Sequence, residues 1–131
     1  MQTFFLMHIA LMIVALTFVI TAVLIARKRK KNWLKRHKTF ALTGVAASLV
    51  SFAIIFIGKS GAQFPHFHSP HAIAGAVALA LLIITPTTGV LISFKFQTLR
   101  PLHRVLGRIT SIAVLFTALM GLLRFLQLSK G

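Results

Sequence analysis

Read for hydropathy alone, the chain falls into four apolar runs separated by three polar connections. The runs cover about Phe4 to Ala26, Thr39 to Gly58 (bounded by Lys38 and Lys59), His71 to Phe94, and Leu102 to Leu126. A helix needs ~20 mostly apolar residues to cross the hydrocarbon core of a bilayer, and the first three runs reach that length easily. In the fourth, only Ile109–Leu123 is free of Lys and Arg. Arg104, Arg108 and Arg124 are therefore expected to snorkel from its ends to the headgroups or to meet an anion. Ser69-Pro70 ahead of His71 reads as an N-cap followed by proline at the first helical position, and Pro101 ahead of His103 reads in the same way. Pro86 is expected to kink the third helix and free the carbonyl of Leu82. The pattern predicts an all-α, integral membrane, up-down four-helix bundle. It is read as a single domain over residues 1–131, with helices at about 4–26, 32–58, 70–94 and 101–126.

The connections differ sharply in charge, and that sets an orientation. The first holds Arg27, Lys28, Arg29, Lys30, Lys31, Lys35, Arg36 and Lys38, and the third holds Lys95, Arg100, Arg104 and Arg108. The rest of the chain has only Lys59, Arg124 and Lys130. Basic residues collect on the cytoplasmic side of membrane proteins, so the first and third connections are expected inside and both termini outside. Trp33, the only Trp, then falls at the inner interface, where an amphipathic ring is at home. The first run is too long for a cleaved signal peptide, and its basic cluster follows it instead of preceding it, so it is expected to remain as a helix. The expected location is a multi-pass position in a prokaryotic cytoplasmic membrane.

Composition narrows the chemistry. Hydrophobic residues make up 57% of the chain and charged ones 11%, where a soluble domain carries roughly 25% charged residues. The charge is one-sided: 15 Lys or Arg and no Asp or Glu. That excludes paired-carboxylate catalysis, carboxylate metal sites, a Ser-His-Asp triad and an acidic proton relay. The basic residues adjoin apolar runs, so they read as topology signals and contacts to lipid headgroups, with no nucleic-acid partner expected. Cysteine is absent, which removes disulfides, thiolate metal sites, Cys-ligated iron–sulfur clusters and covalent c-type haem attachment. Histidine remains as the strong metal ligand.

Of the six histidines, His66 and His68 fall in the second connection. His8, His37, His71 and His103 fall one per helix, each near the start of its run. In an up-down bundle, His8 and His71 share one depth and His37 and His103 share the other, each pair on a diagonal. Two neutral imidazoles facing each other across a bundle suit bis-histidine ligation of a b-type haem. The two levels lie roughly 20–25 Å apart along the helices. His71 and His103 are each followed four residues on by glycine, Gly75 and Gly107, which would let a flat macrocycle approach the backbone. Each is followed eighteen residues on by another, Gly89 and Gly121. Eighteen residues are five helical turns, so these are expected at the opposite membrane face, making room for the other haem. The competing reading is that glycine only aids close helix packing. Most of the inner basic cluster is an orienting anchor, but Lys31, Lys35, Arg36, Arg100 and Arg104 lie close to His37 and His103 and are candidates to neutralise haem propionates or attract an anionic reductant. His66 and His68, with Phe64 and Phe67, are either a solvated loop or an outer docking surface, a proton-accepting group or a replacement ligand for His71.

Taken together, these residues resemble the cytochrome b561 family over nearly the whole chain. His8 within Met7–Met12 resembles the family's first ligand helix. Lys35, Arg36 and His37 followed by Gly44 resemble the second. Ser69, His71 and Gly75 resemble the Ser-x-His-x-x-x-Gly of the third. Pro101, His103, Gly107, Arg108 and Gly121 resemble the fourth. The resemblance implies two b haems, ligands paired first with third and second with fourth, and electron transfer between a reductant and an acceptor on opposite sides. The partners then expected are membrane lipid, a redox protein or quinone, and a larger membrane complex. An enzymatic role would be that of a transmembrane oxidoreductase, acting as a quinol or ferric reductase does. The competing readings are a non-catalytic membrane anchor or assembly subunit, and a small transporter, whose proton-coupled form the absence of acids disfavours.

Overall fold

The computed structural model describes residues 2–128; Met1 and the C-terminal residues 129–131, Lys130 among them, lie outside the described residues. Four helices, α1 (Gln2–Lys28), α2 (Trp33–Gly61), α3 (Pro70–Ser93) and α4 (Arg100–Leu128), account for most of the chain, with a 3-10 turn at Gln97–Leu99. All four are long and apolar enough to cross a membrane. Helices α1, α2 and α4 run beyond their apolar stretches into flanking polar residues. The flanking polar residues of α1 and α2, such as Lys28 and Lys59, propagate a helix well once a long apolar segment has nucleated it.

The ends are set locally. The Ser69 side chain accepts a hydrogen bond from the Ala72 amide at 3.3 Å, with Pro70 at the first helical position of α3. Between α1 and α2 the chain turns through Arg29 and Asn32, both with positive φ (43° and 60°), a conformation asparagine tolerates better than most residues. Pro86 lies inside α3, which continues through it as one helix.

The order around the bundle is α1, α2, α3, α4. Contacts are dense within the α1–α2 and α3–α4 hairpins and sparse between them, and the backbones of the diagonal pairs stay apart among the described residues, so those pairs meet only through side chains. Val19, Ala78, Leu82 and Val114 meet at mid-depth, with Leu16, Val45 and Ala113 packed against them. The rest of the interior is small or hydroxylic, with Ala15, Ala22, Ser48, Ser51, Thr88, Thr110 and Thr117 all buried. Large apolar side chains point outward: Ile13, Ile57, Phe94 and Ile112 are each more than 60% exposed. Lipid is as apolar as leucine, so nothing drives such residues inward, and close packing through small side chains takes over. Hydroxyls on the outer surface are satisfied by their own helix: Thr17, Thr21 and Thr87 donate to the carbonyls of Ile13, Thr17 and Ile83 at 2.9, 2.7 and 2.7 Å.

Candidate redox centre: four histidines at two depths

Each helix contributes one half-buried histidine to the interior, and all four are held in the same way. The Nδ1–H of His8 donates to the carbonyl of Ser51 at 3.2 Å, and that of His37 to the carbonyl of Ala22 at 2.9 Å. In the second hairpin His71 donates to the carbonyl of Thr117 at 3.2 Å and His103 to that of Thr85 at 3.0 Å. The acceptor in every case lies fourteen residues after the histidine of the partner helix in the same hairpin. Each hairpin is thus a reciprocal clamp, with the histidine of each helix held by a carbonyl toward the far end of the other.

A carbonyl oxygen only accepts, so each of these bonds fixes the proton on Nδ1 and leaves the lone pair on Nε2. None of the four Nε2 atoms has a hydrogen-bond partner among the described residues. Metal-binding histidines are characteristically held this way, with the second nitrogen donating to a carbonyl.

The histidines fall in two pairs, one toward each end of the bundle. The rings of His37 and His103 lie 6.3 Å apart, centre to centre, with their planes 83° apart. A first-row metal sits about 2 Å from an imidazole nitrogen, and the ring centre lies about 1 Å further on, so two axial imidazoles are about 6 Å apart. The observed separation leaves room for one metal that both rings could hold. His8 lies within electrostatic reach of His71 at the other end of the bundle. Fourteen residues separate the two levels on each helix, about 21 Å at the helical rise.

The surroundings fit a bulky planar group in part. At Gly107 an added Cβ would meet nothing within 4 Å, and at Gly75 only Thr117 Cγ2 at 3.7 Å. The Thr117 hydroxyl is buried with no partner, a state that native interiors rarely leave unexplained. Gly89 and Gly121 do sit at the opposite ends of their helices from His71 and His103, but their space is taken by imidazole instead of being left for a macrocycle. An added Cβ at Gly89 would lie 3.0 Å from Cε1 of His103, and one at Gly121 would lie 2.9 Å from Cε1 of His71. In an antiparallel hairpin the partner's histidine arrives at that same depth. Gly44 faces α1, where a Cβ would meet Val19 Cγ2 at 2.9 Å and the Ala15 carbonyl oxygen at 3.3 Å, so its role here is close helix approach.

Around the His37–His103 pair, Lys35, Arg36, Arg100 and Arg104 are all exposed. Trp33 lies one turn before His37, ring centres 6.4 Å apart, with Arg29 stacked over it at 5.7 Å. Lys38 reaches from α2 to Ser93 of α3, donating to its Oγ at 2.6 Å. At the His8–His71 end, Lys59 and Arg124 lie within electrostatic reach of His71. A cleft beside His71 is lined by Pro70, Met120, Leu123, Arg124 and Gln127. His66 stacks on Phe56, ring centres 3.9 Å apart, and its Nε2 lies 3.1 Å from Ser60 Oγ. Lys59 donates to the carbonyls of Pro65 and His66 at 3.1 and 3.2 Å, so the loop is folded back on α2. His68 is exposed.

Sequence reasoning expected Arg124 to reach headgroups or an anion and read Lys59 as the boundary of the second run, but it placed neither beside His71. It also missed the hydroxylic residues. Three of the four histidines are followed fourteen residues on by Ser or Thr, namely Ser51, Thr85 and Thr117, a periodicity that marked these positions in advance.

Among comparisons with known proteins, a family model described as eukaryotic cytochrome b561 matches residues 5–129. No curated protein and no solved structure matches the chain.

Proposed function

The chain belongs to the cytochrome b561 family and is a transmembrane b-type haem electron-transfer protein, and from that premise we propose that it holds two haems and carries electrons from one membrane face to the other. His8 and His71 would be the axial ligands of one haem, and His37 and His103 those of the second. The observation that carries this reading is the set of four Nδ1–H bonds to backbone carbonyls, which leaves four Nε2 atoms free in two pairs. A b haem supplies a one-electron carrier whose iron alternates between ferric and ferrous. The chain's own residues fix the imidazoles, hold their tautomer and exclude water with the mid-depth core. Gly75 and Gly107 would line the haems. Lys35, Arg36, Arg100 and Arg104 would offset propionate charge at the basic end, and Lys59 and Arg124 would do so at the other.

The four-helix core is read as one domain, with the basic connections in the cytoplasm and both termini outside. The family description is eukaryotic and lends no support to a prokaryotic membrane. The partner would be a quinone or a redox protein, docking at the outer end through the cleft beside His71 and the exposed His68, alone or within a larger membrane complex. His66, stacked on Phe56, favours His71 over itself as the ligand.

Absorption spectra and the haem-to-chain ratio of protein expressed with added haem test the reading. Two low-spin b haems per chain are expected, and His71→Ala should lose one and keep the other. A wild-type chain that binds no haem, or a His71→Ala variant that keeps both, overturns it.

A further inference from the structure

The four histidine clamps are not equivalent. His37 and His71 each donate to a carbonyl alone, whereas His8 and His103 each have a hydroxyl on Nδ1 as well. Ser51 Oγ lies 2.8 Å from His8 Nδ1 and donates its own proton to the His8 carbonyl at 3.0 Å. Thr88 Oγ1 lies 2.9 Å from His103 Nδ1 and donates to the Thr85 carbonyl at 2.7 Å. Because each hydroxyl proton is committed elsewhere, each oxygen presents a lone pair to the imidazole N–H. The two hydroxyls are acceptors by construction.

The ordinary behaviour of hydroxylic residues in these helices is different. Ser48, Ser93, Ser111, Thr17, Thr21, Thr39 and Thr87 all donate to the carbonyl four residues back, the usual way such residues satisfy themselves inside a helix. Ser51 instead reaches across to α1, and Thr88 turns to the carbonyl three residues back, the one that also receives His103. Ser51 is fully buried and Thr88 nearly so, at 0% and 8% exposure. Helix satisfaction alone asks for neither arrangement.

We propose that Ser51 and Thr88 are positioning residues that strengthen one axial imidazole in each pair, Ser51 acting through His8 and Thr88 through His103. The proposal rests on the two-haem reading. A second acceptor on Nδ1–H draws that proton outward and leaves more negative charge on the ring, making Nε2 a stronger donor. A stronger axial donor favours ferric over ferrous iron and lowers the potential. Since the assisted histidines belong to different pairs, each haem has one assisted ligand and one plain one. The device is present at both ends, one hydroxyl to each pair.

Redox titration of the full-length protein, followed by haem absorption, tests this. Thr88→Val keeps the shape of the side chain and removes the oxygen. It should raise the midpoint potential of the His37–His103 haem and leave the other unmoved. Ser51→Ala should do the converse, and Thr88→Ser should restore the wild-type value. Unmoved potentials in both variants, or equal shifts of both haems in either one, overturn the proposal. If Thr88→Val loses its haem, retention by Thr88→Ser supports the hydroxyl's role, and loss in both variants makes that role spatial and overturns the proposal. Wild-type protein without two low-spin haems fails the underlying reading before any variant is compared.

Discussion

At the scale of single residues, two glycines leave room for histidine rings that any side chain would crowd. His71 lies against Gly121 and His103 against Gly89, each closely enough that a Cβ would stand 2.9 or 3.0 Å from a ring carbon. Neither ring can retreat freely, because its Nδ1 is tied to a carbonyl on the same neighbouring helix. Gly121→Ala must therefore push His71 toward the interior or break its bond to Thr117. Overpacking of this kind costs about 1–3 kcal/mol in ordinary cores. The expected outcome is weakened or spectrally shifted haem at the His8–His71 pair, with the His37–His103 haem unchanged. Gly107→Ala is a sharper probe of the cofactor, because its Cβ meets no protein atom. It should leave the thermal stability of haem-free protein as it is and perturb only the haem-loaded form at the His37–His103 end. Unchanged spectra in Gly121→Ala protein would count against the clamp geometry.

At the scale of helices, the α1–α2 hairpin depends on a backbone approach at Gly44. A side chain there meets Val19 Cγ2 at 2.9 Å, and also the Ala15 oxygen and the Val19 nitrogen at 3.3 Å. The last two are backbone atoms that no rotamer change moves. Gly44→Val should separate α1 from α2 and lower thermal stability, whereas Gly61→Ala, which meets nothing within 4 Å, should not. Equal melting of the two variants would refute this. The helices themselves were legible in the sequence, because a span of lipid demands an apolar run of known length and nothing else in the chain has one. The pairing of His37 with His103 was legible for a related reason: alternating direction and short connections place alternate helices at matching depths. The stagger within each hairpin was not. It depends on which small residues let two backbones approach, and Gly44 looks the same in sequence whether it faces a macrocycle or a neighbouring helix. The eighteen-residue spacing gave the correct ends of the helices for Gly89 and Gly121. It did not reveal the occupant, because the partner's imidazole enters from a helix whose register was unknown.

At the scale of the whole molecule, the distribution of charge sets which pair of histidines is expected to face which compartment. Twelve basic residues gather on the α1–α2 and α3–α4 connections and their flanks, against Lys59, Arg124 and Lys130 elsewhere. No Asp or Glu side chain offsets any of them, so their charge calls for anions outside the chain, which anionic lipid headgroups of an inner leaflet supply. Moving the basic end across a bilayer instead would expose each of those charges to the hydrocarbon, at several kcal/mol apiece. On this charge distribution the His37–His103 pair is expected on the cytoplasmic side and the His8–His71 pair on the external side. The protein has no cysteine, so single cysteines can be introduced and labelled without background. Asn32 lies in the α1–α2 turn and Ser60 in the last turn of α2, both exposed. In sealed cells a membrane-impermeant thiol reagent should modify Ser60→Cys and spare Asn32→Cys, and permeabilisation should expose the second. Labelling of Asn32→Cys with protection of Ser60→Cys would reverse the topology, and with it the compartment assigned to each pair of histidines.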